Sequence, residues 1–165
     1  ARCLSYLTQC PGVVPEVIRP LLGNLLYGCD RCQEVCPYNQ GLVNTARPEG
    51  LFPFFPAEPR LIPILSMTRK EFSSTIALTA AGWRGKTTLQ RNAVIALGNL
   101  KHREAVAPLI RMLAQDPRPV IRLHAAWSLG AIGGARARFY LEKCRQQDPH
   151  GPVREEARKA LENTE

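Results

Sequence analysis

Leu89-Gln90-Arg91-Asn92-Ala93-Val94-Ile95-Ala96-Leu97-Gly98-Asn99 decides the fold, because its pattern returns after 32 residues as Ile121-Arg122-Leu123-His124-Ala125-Ala126-Trp127-Ser128-Leu129 and again as Val153-Arg154-Glu155-Glu156-Ala157-Arg158-Lys159-Ala160-Leu161. Ala93, Ala125 and Ala157 share one slot, and Leu97, Leu129 and Leu161 another. The stretch between copies repeats too: Ala105 aligns with Ala137, Leu109 with Leu141, and Asp116-Pro117 with Asp148-Pro149. Within each unit the apolar residues keep helical spacing. Leu89, Ala93, Ala96, Leu97 and Leu100 form one stripe; Val106, Leu109, Ile110 and Leu113 form the next. Two amphipathic helices closed by an Asp-Pro turn, stacked on their neighbours, make an α-solenoid, and alanine at the shared slot permits close helix approach. Such repeats define a scaffold rather than a chemistry.

Working outward, residues 67–165 are assigned to these repeats, of which residues 85 to 165 resemble the HEAT-like repeats of the HEAT and armadillo superfamily, and residues 41–66 are assigned to a connector. Its Leu51-Phe52-Pro53-Phe54-Phe55-Pro56 run argues against regular structure and for an apolar strap. Ahead of it, Pro15-Glu16-Val17-Ile18-Arg19 starts a turn or two of helix that Gly23-Asn24 ends. With 165 residues and 45% apolar content the chain can bury a core. No apolar run reaches about eighteen residues, and the first residues lack a signal-peptide layout, so a cytoplasmic, membrane-free monomer is expected. The chain opens at Ala1-Arg2-Cys3, which suggests a fragment.

The net charge of +8 is unevenly placed. Residues 1–60 carry five basic and five acidic side chains, leaving seventeen basic and nine acidic ones beyond. A solvated helix face would account for this, and so would a polyanion such as nucleic acid. Arg84, Lys86, Arg91 and Asn92 gather at the start of the first repeat. Arg122 and Arg154 recur in the slot of Gln90, where they would form a row along the solenoid. His124 and Trp127 read as packing residues.

Five of the six cysteines fall within the first 36 residues. Crowding without a secretory signal points to a metal rather than a disulfide framework. Cys29-x2-Cys32-x3-Cys36-Pro37 is the end of a bacterial ferredoxin run, in which neighbouring thiolates hold one cubane and the cysteine before proline reaches another. The cysteine usually found two residues before Cys29 is missing. Cys3 is the best substitute and Cys10 the alternative. Zinc on Cys3, Cys29, Cys32 and Cys36 is the competing reading. Cys144 takes the slot of Met112 and reads as core.

The wording of the motif adds more. Arg2-Cys3-Leu4-Ser5-Tyr6-Leu7-Thr8, then Gly28-Cys29-Asp30-x-Cys32-Gln33-x-Val35-Cys36-Pro37-x-Asn39, then Arg91 to Asn99, resembles the epoxyqueuosine reductase family in words and in order. The resemblance implies a mainly α chain whose residues 1–40 are the C-terminal half of a 4Fe-4S ferredoxin-type domain, followed by HEAT-like repeats. It implies reduction of epoxyqueuosine to queuosine in the wobble position of a tRNA anticodon, with cobalamin and two 4Fe-4S clusters. In that pattern Cys3, Cys29 and Cys32 would hold one cluster, with a fourth cysteine from an upstream run, and Cys36 would complete the other. Ser5, Cys29 and Asp30 would lie near the cobalamin edge, and Arg84, Lys86, Arg91, Asn92, Arg122 and Arg154 would contact the anticodon stem-loop. The cobalamin domain and catalytic acid lie outside the sequence, so no catalytic residue is assigned and the fragment by itself should be inactive. Tyr38 departs from the family's more familiar Trp. A ferredoxin-like electron carrier with a protein-docking repeat and a zinc-stabilised scaffold are the alternatives.

Overall fold

The structure, a computed structural model, describes residues 3–41 and 58–162, and every regular element among them is helical. The leading segment holds three short helices: α1 (Leu4–Gln9), α2 (Arg19–Leu22) and α3 (Arg31–Glu34). A 3-10 turn at Glu16–Ile18 feeds α2, which carries Pro20 in its first turn and stops at Gly23, where φ is +56°. The turn expected between Pro15 and Gly23 is therefore present. Next come α4 (Leu61–Ser66) and α5 (Arg69–Ser74). Helix α5 begins with a capping box: the Glu71 N–H donates to Thr68 Oγ1 at 3.2 Å and the Thr68 N–H donates to Glu71 Oε2 at 2.7 Å.

The repeats follow as α6 (Gly85–Asn99), α7 (Val106–Gln115), α8 (Pro119–Ile132), α9 (Ala135–Gln147) and α10 (Gly151–Glu162). α6 packs on α8 and α8 on α10, while α7 and α9 form the outer layer. Leu89, Ile121 and Val153 are buried at one repeat slot, and Ala93, Ala125 and Ala157 at another. Close passes between successive helices also fall at glycines. A Cβ on Gly98 would stand 2.9 Å from Ser128 Cα, and one on Gly130 would stand 2.9 Å from Ala160 Cα. Both pairs lie at the same place in successive units.

The Asp-Pro turns also repeat in detail. Asp116 Oδ1 accepts from the Arg118 N–H at 2.9 Å, and Asp148 Oδ1 accepts from the His150 N–H at 2.8 Å. Side-chain bonding of this kind closes a turn without help from the next helix.

Two features depart from the sequence reading. Helix α4 lies within the expected connector and packs against α6 and α7, with Ile64 and Leu65 buried. Its apolar Leu61-Ile62-Pro63-Ile64-Leu65 run supplies the packing face. The Phe-rich strap itself, residues 51–56, lies outside the described residues, as do Arg2 and the chain ends. Second, α6 is buried continuously from Thr88 to Gly98, polar residues included, because residues 8–26 lie along the side that α4 and α8 leave open. Among the described residues no helix is long and apolar enough to cross a membrane.

Candidate metal centre and nucleic-acid interface

The cysteine segment is set in place by α1. Thr8 is buried; its Oγ1 donates to the Ser5 carbonyl at 2.8 Å and accepts the Gly28 N–H at 3.0 Å. Gly28 has φ +74°, a conformation that side chains disfavour, and it turns the chain directly into Cys29. The Asp30 backbone carbonyl then accepts from the Gln33 and Glu34 N–H groups at 2.8 and 2.9 Å, starting α3. Asn39 Nδ2 donates to Gln33 Oε1 at 2.7 Å, and the Asn39 N–H donates to the Cys36 carbonyl at 3.0 Å. Gln33 and Asn39 thus clamp the Cys32–Cys36 turn, which gives a physical role to two polar residues of the motif.

Cys3 and Cys32 are exposed, and Cys29 and Cys36 are half-buried. Cysteine is normally among the most buried residues, so four thiols displayed this way suit ligand chemistry better than packing. Soft thiolate donors in Cys-x2-Cys-x3-Cys-Pro spacing fit an iron–sulfur cluster. The four are not, however, drawn together. Among the described residues no three Cys, His, Asp or Glu side chains converge on a common point that could hold a metal ion. The expected assignment divides them, with Cys3, Cys29 and Cys32 on one cluster and Cys36 on another, so it does not require the four sulfurs to meet at one point. Cys144 is buried and its thiol is pushed up to about 12, first by burial and then by the charge of Asp148, as a core residue should be.

The basic residues divide sharply. Arg91 and Asn92 are each 1% exposed, and both are corrected from RNA contacts to internal anchors. Arg91 Nη1 donates to the Cys10 and Gly12 carbonyls at 2.5 and 2.8 Å, and Asn92 Nδ2 donates to the Thr8 and Leu26 carbonyls at 2.7 Å each. Burial lowers the Arg91 guanidinium to about 10. These carbonyls belong to a segment with no ladder partners, so α6 supplies the donors.

Arg122 is corrected too. It is buried in a two-pronged pair with Asp148 at 2.7 and 3.0 Å, and its Nη1 donates to the Asp116 carbonyl at 2.9 Å. The 90/122/154 slot is in fact a structural ladder. Gln90 donates to the Ile64 and Leu65 carbonyls, and Arg154 donates to the Asp148 carbonyl at 2.7 Å, so each member caps the preceding turn. Arg84 and Arg154 are exposed; Lys86 is half-buried and donates to the Met67 carbonyl at 3.1 Å.

His124 and Trp127 pack as expected. His124 Nε2 accepts the Val14 N–H at 3.2 Å while Nδ1 faces the Val120 carbonyl at 2.6 Å, and Trp127 packs beside Val14, Leu22 and Ile95. Burial, with the nearby charges of Arg19 and Arg91, lowers His124 to about 3. Sequence reasoning missed Arg19, which pairs with Glu156, and Trp83, which stands exposed under Arg84. No periodicity could reveal the first; the Trp83-Arg84 dipeptide was a visible sign of the second.

The helical stack and its repeating Asp-Pro turns define a HEAT-repeat solenoid, and the HEAT repeats family matches residues 76–162. An epoxyqueuosine reductase from Bacillus anthracis is 40% identical over 161 residues, covering 98% of this chain and 42% of that protein. An uncharacterised Geobacillus stearothermophilus protein is 39% identical over 165 residues, covering 98% of this chain and 74% of that protein. A crystal structure of epoxyqueuosine reductase with an epoxyqueuosine-modified tRNA-Tyr stem loop superposes with a TM-score of 0.89 at 39% identity, over 98% of this chain and 43% of that one. The chain belongs to the HEAT repeats family, and along 98% of its length it is similar to epoxyqueuosine reductases, of which it spans less than half.

Proposed function

We propose that the chain is the C-terminal portion of a cytoplasmic enzyme that reduces epoxyqueuosine to queuosine at the wobble position of a tRNA anticodon, using two 4Fe-4S clusters and cobalamin. The observation that carries this reading is the likeness along 98% of the chain to a reductase crystallised with its modified stem loop. The surface display of Cys3, Cys29, Cys32 and Cys36 supports it independently.

Cys3, Cys29 and Cys32 would hold one cluster with a cysteine from an upstream run, and Cys36 would complete the second. When bound, the clusters supply one-electron carriers and the corrin supplies the strongly reducing centre for the epoxide. This chain's own residues orient those ligands. The Ser5–Thr8–Gly28 hydrogen bonds fix Cys29 and Asp30 relative to α1, and the Asn39–Gln33 clamp fixes Cys36. Ser5 and Asp30 offer a hydroxyl and a carboxylate suited to the amide-bearing rim of a corrin. Arg84, Lys86 and Arg154 are the expected cations left for phosphate contact, and tRNA would be held by the solenoid edge rather than by the helix face that residues 8–26 cover.

The test is anaerobic incubation of the full-length protein with cobalamin, a reductant and epoxyqueuosine-containing tRNA, read by nucleoside mass spectrometry. Queuosine should form with wild type and not with Cys29→Ala. A chain that carries clusters yet never converts the tRNA would favour the electron-carrier reading.

A further inference from the structure

We infer that Trp83 and Arg84 form a stacking platform for one unpaired nucleobase of the bound RNA loop, an inference that rests on the tRNA reading above. Trp83 is 64% exposed although it is the kind of residue whose burial stabilises a core most. The Arg84 guanidinium lies over its ring at 3.9 Å from the centroid, so the pair presents an indole beside a cationic plane. That pairing recognises a base and its phosphate together, and an exposed apolar side chain with no cation would not.

The platform is also fixed in place. The indole Nε1 donates to Gln9 Oε1 at 3.3 Å, and the Gln9 Nε2 donates to Ser5 Oγ at 3.2 Å. Gln9 therefore ties Trp83 through one side chain to Ser5, whose carbonyl is already joined through Thr8 to the Gly28 turn ahead of Cys29. A rigid aromatic ring held beside the cysteine segment can seat a base next to the one presented for chemistry. Tyr6, on the same helix as Gln9, is 55% exposed. Lys86 lies two residues further on, past the Gly85 turn into α6, and adds positive charge to this edge.

The experiment uses the full-length protein and an anticodon stem-loop RNA carrying 2-aminopurine at one loop position at a time, because stacking quenches that fluorophore. Wild type and Trp83→Phe should quench one position on binding. Trp83→Leu, which keeps bulk but no π face, and Trp83→Ala should lose the quenching and bind about ten-fold more weakly with an unchanged salt slope. Arg84→Ala should reduce the slope by about one. Equal binding and quenching by Trp83→Leu, Trp83→Ala and wild type would overturn the platform and leave the tRNA reading standing. Failure of wild type to bind the RNA would overturn both.

Discussion

Arg19 and Glu156, 137 positions apart, meet in a buried two-pronged ion pair with N···O distances of 2.5 and 3.1 Å. Arg19 also donates from Nε to the Val14 carbonyl at 2.9 Å and stands over Trp127. The pair joins the cysteine-bearing segment to the last helix of the solenoid, so the two parts hold each other. Removing one partner strands a buried charge, which typically costs about 3–5 kcal/mol. Glu156→Gln should lower the denaturation midpoint accordingly and open residues 8–26 to proteolysis. An unchanged midpoint and digestion pattern would show that the segment is held by other contacts.

His124 gives the protein a pH dependence of known sign. It titrates near 6.5 in an unfolded chain and at about 3 when folded, where Nε2 already accepts the Val14 N–H and has no place for a proton. The folded state therefore binds fewer protons between those values, and stability is undiminished above pH 6.5 and lost as pH falls below it. The slope should approach about 1.4 kcal/mol per pH unit between pH 6 and 5, above the range where carboxylates contribute. Chemical denaturation at several pH values measures it, and His124→Gln should flatten that interval.

Helix approach at Gly98 and Gly130 is equally open to test. Alanine adds roughly 1 kcal/mol of helix propensity, but the contacts at 2.9 Å involve backbone atoms that cannot rotate away. Gly98→Ala and Gly130→Ala should each lose about 1–3 kcal/mol net. Gly151→Ala is the control, since its nearest neighbour is Arg154 Nη2 at 3.8 Å, and it should be neutral or slightly stabilising. Thermal unfolding of the three variants decides the matter.

The repeats were legible because each slot is fixed locally by helical period and Asp-Pro turns, so Ala93, Ala125 and Ala157 announce themselves. The short helix before Gly23 was legible from its proline start and glycine stop. Arg91, Asn92 and Arg122 were misread as surface contacts for RNA, since burial of a charged or polar side chain depends on partners far away in sequence. Asn92 meets Thr8 across 84 positions, and no pattern within α6 signals that carbonyl. Cys3 and Cys29 pose the same difficulty: spacing suggests them as donors, while no local pattern says which side chains they meet in space.

These reassignments predict which arginines matter for RNA. Arg84→Ala should lower the salt slope of stem-loop binding by about one while leaving the melting temperature within a degree or two, and Arg154→Ala should lower the slope likewise but also cost some stability, because it removes the donor to the Asp148 carbonyl. Arg91→Ala should do the reverse, since it leaves the Cys10 and Gly12 carbonyls without their donor and lowers stability by about 1–3 kcal/mol. Filter binding across salt concentrations, beside thermal melts, separates the two groups.

The central claim, that the cysteine segment serves iron–sulfur clusters, is tested most directly by iron, sulfide and zinc analysis with an absorption spectrum of anaerobically purified full-length protein. Two clusters correspond to roughly eight irons with matching sulfide and a broad charge-transfer band, and Cys29→Ala should lose about half of that iron. Stoichiometric zinc with neither iron nor sulfide would contradict the account and leave a metal-stabilised scaffold in its place.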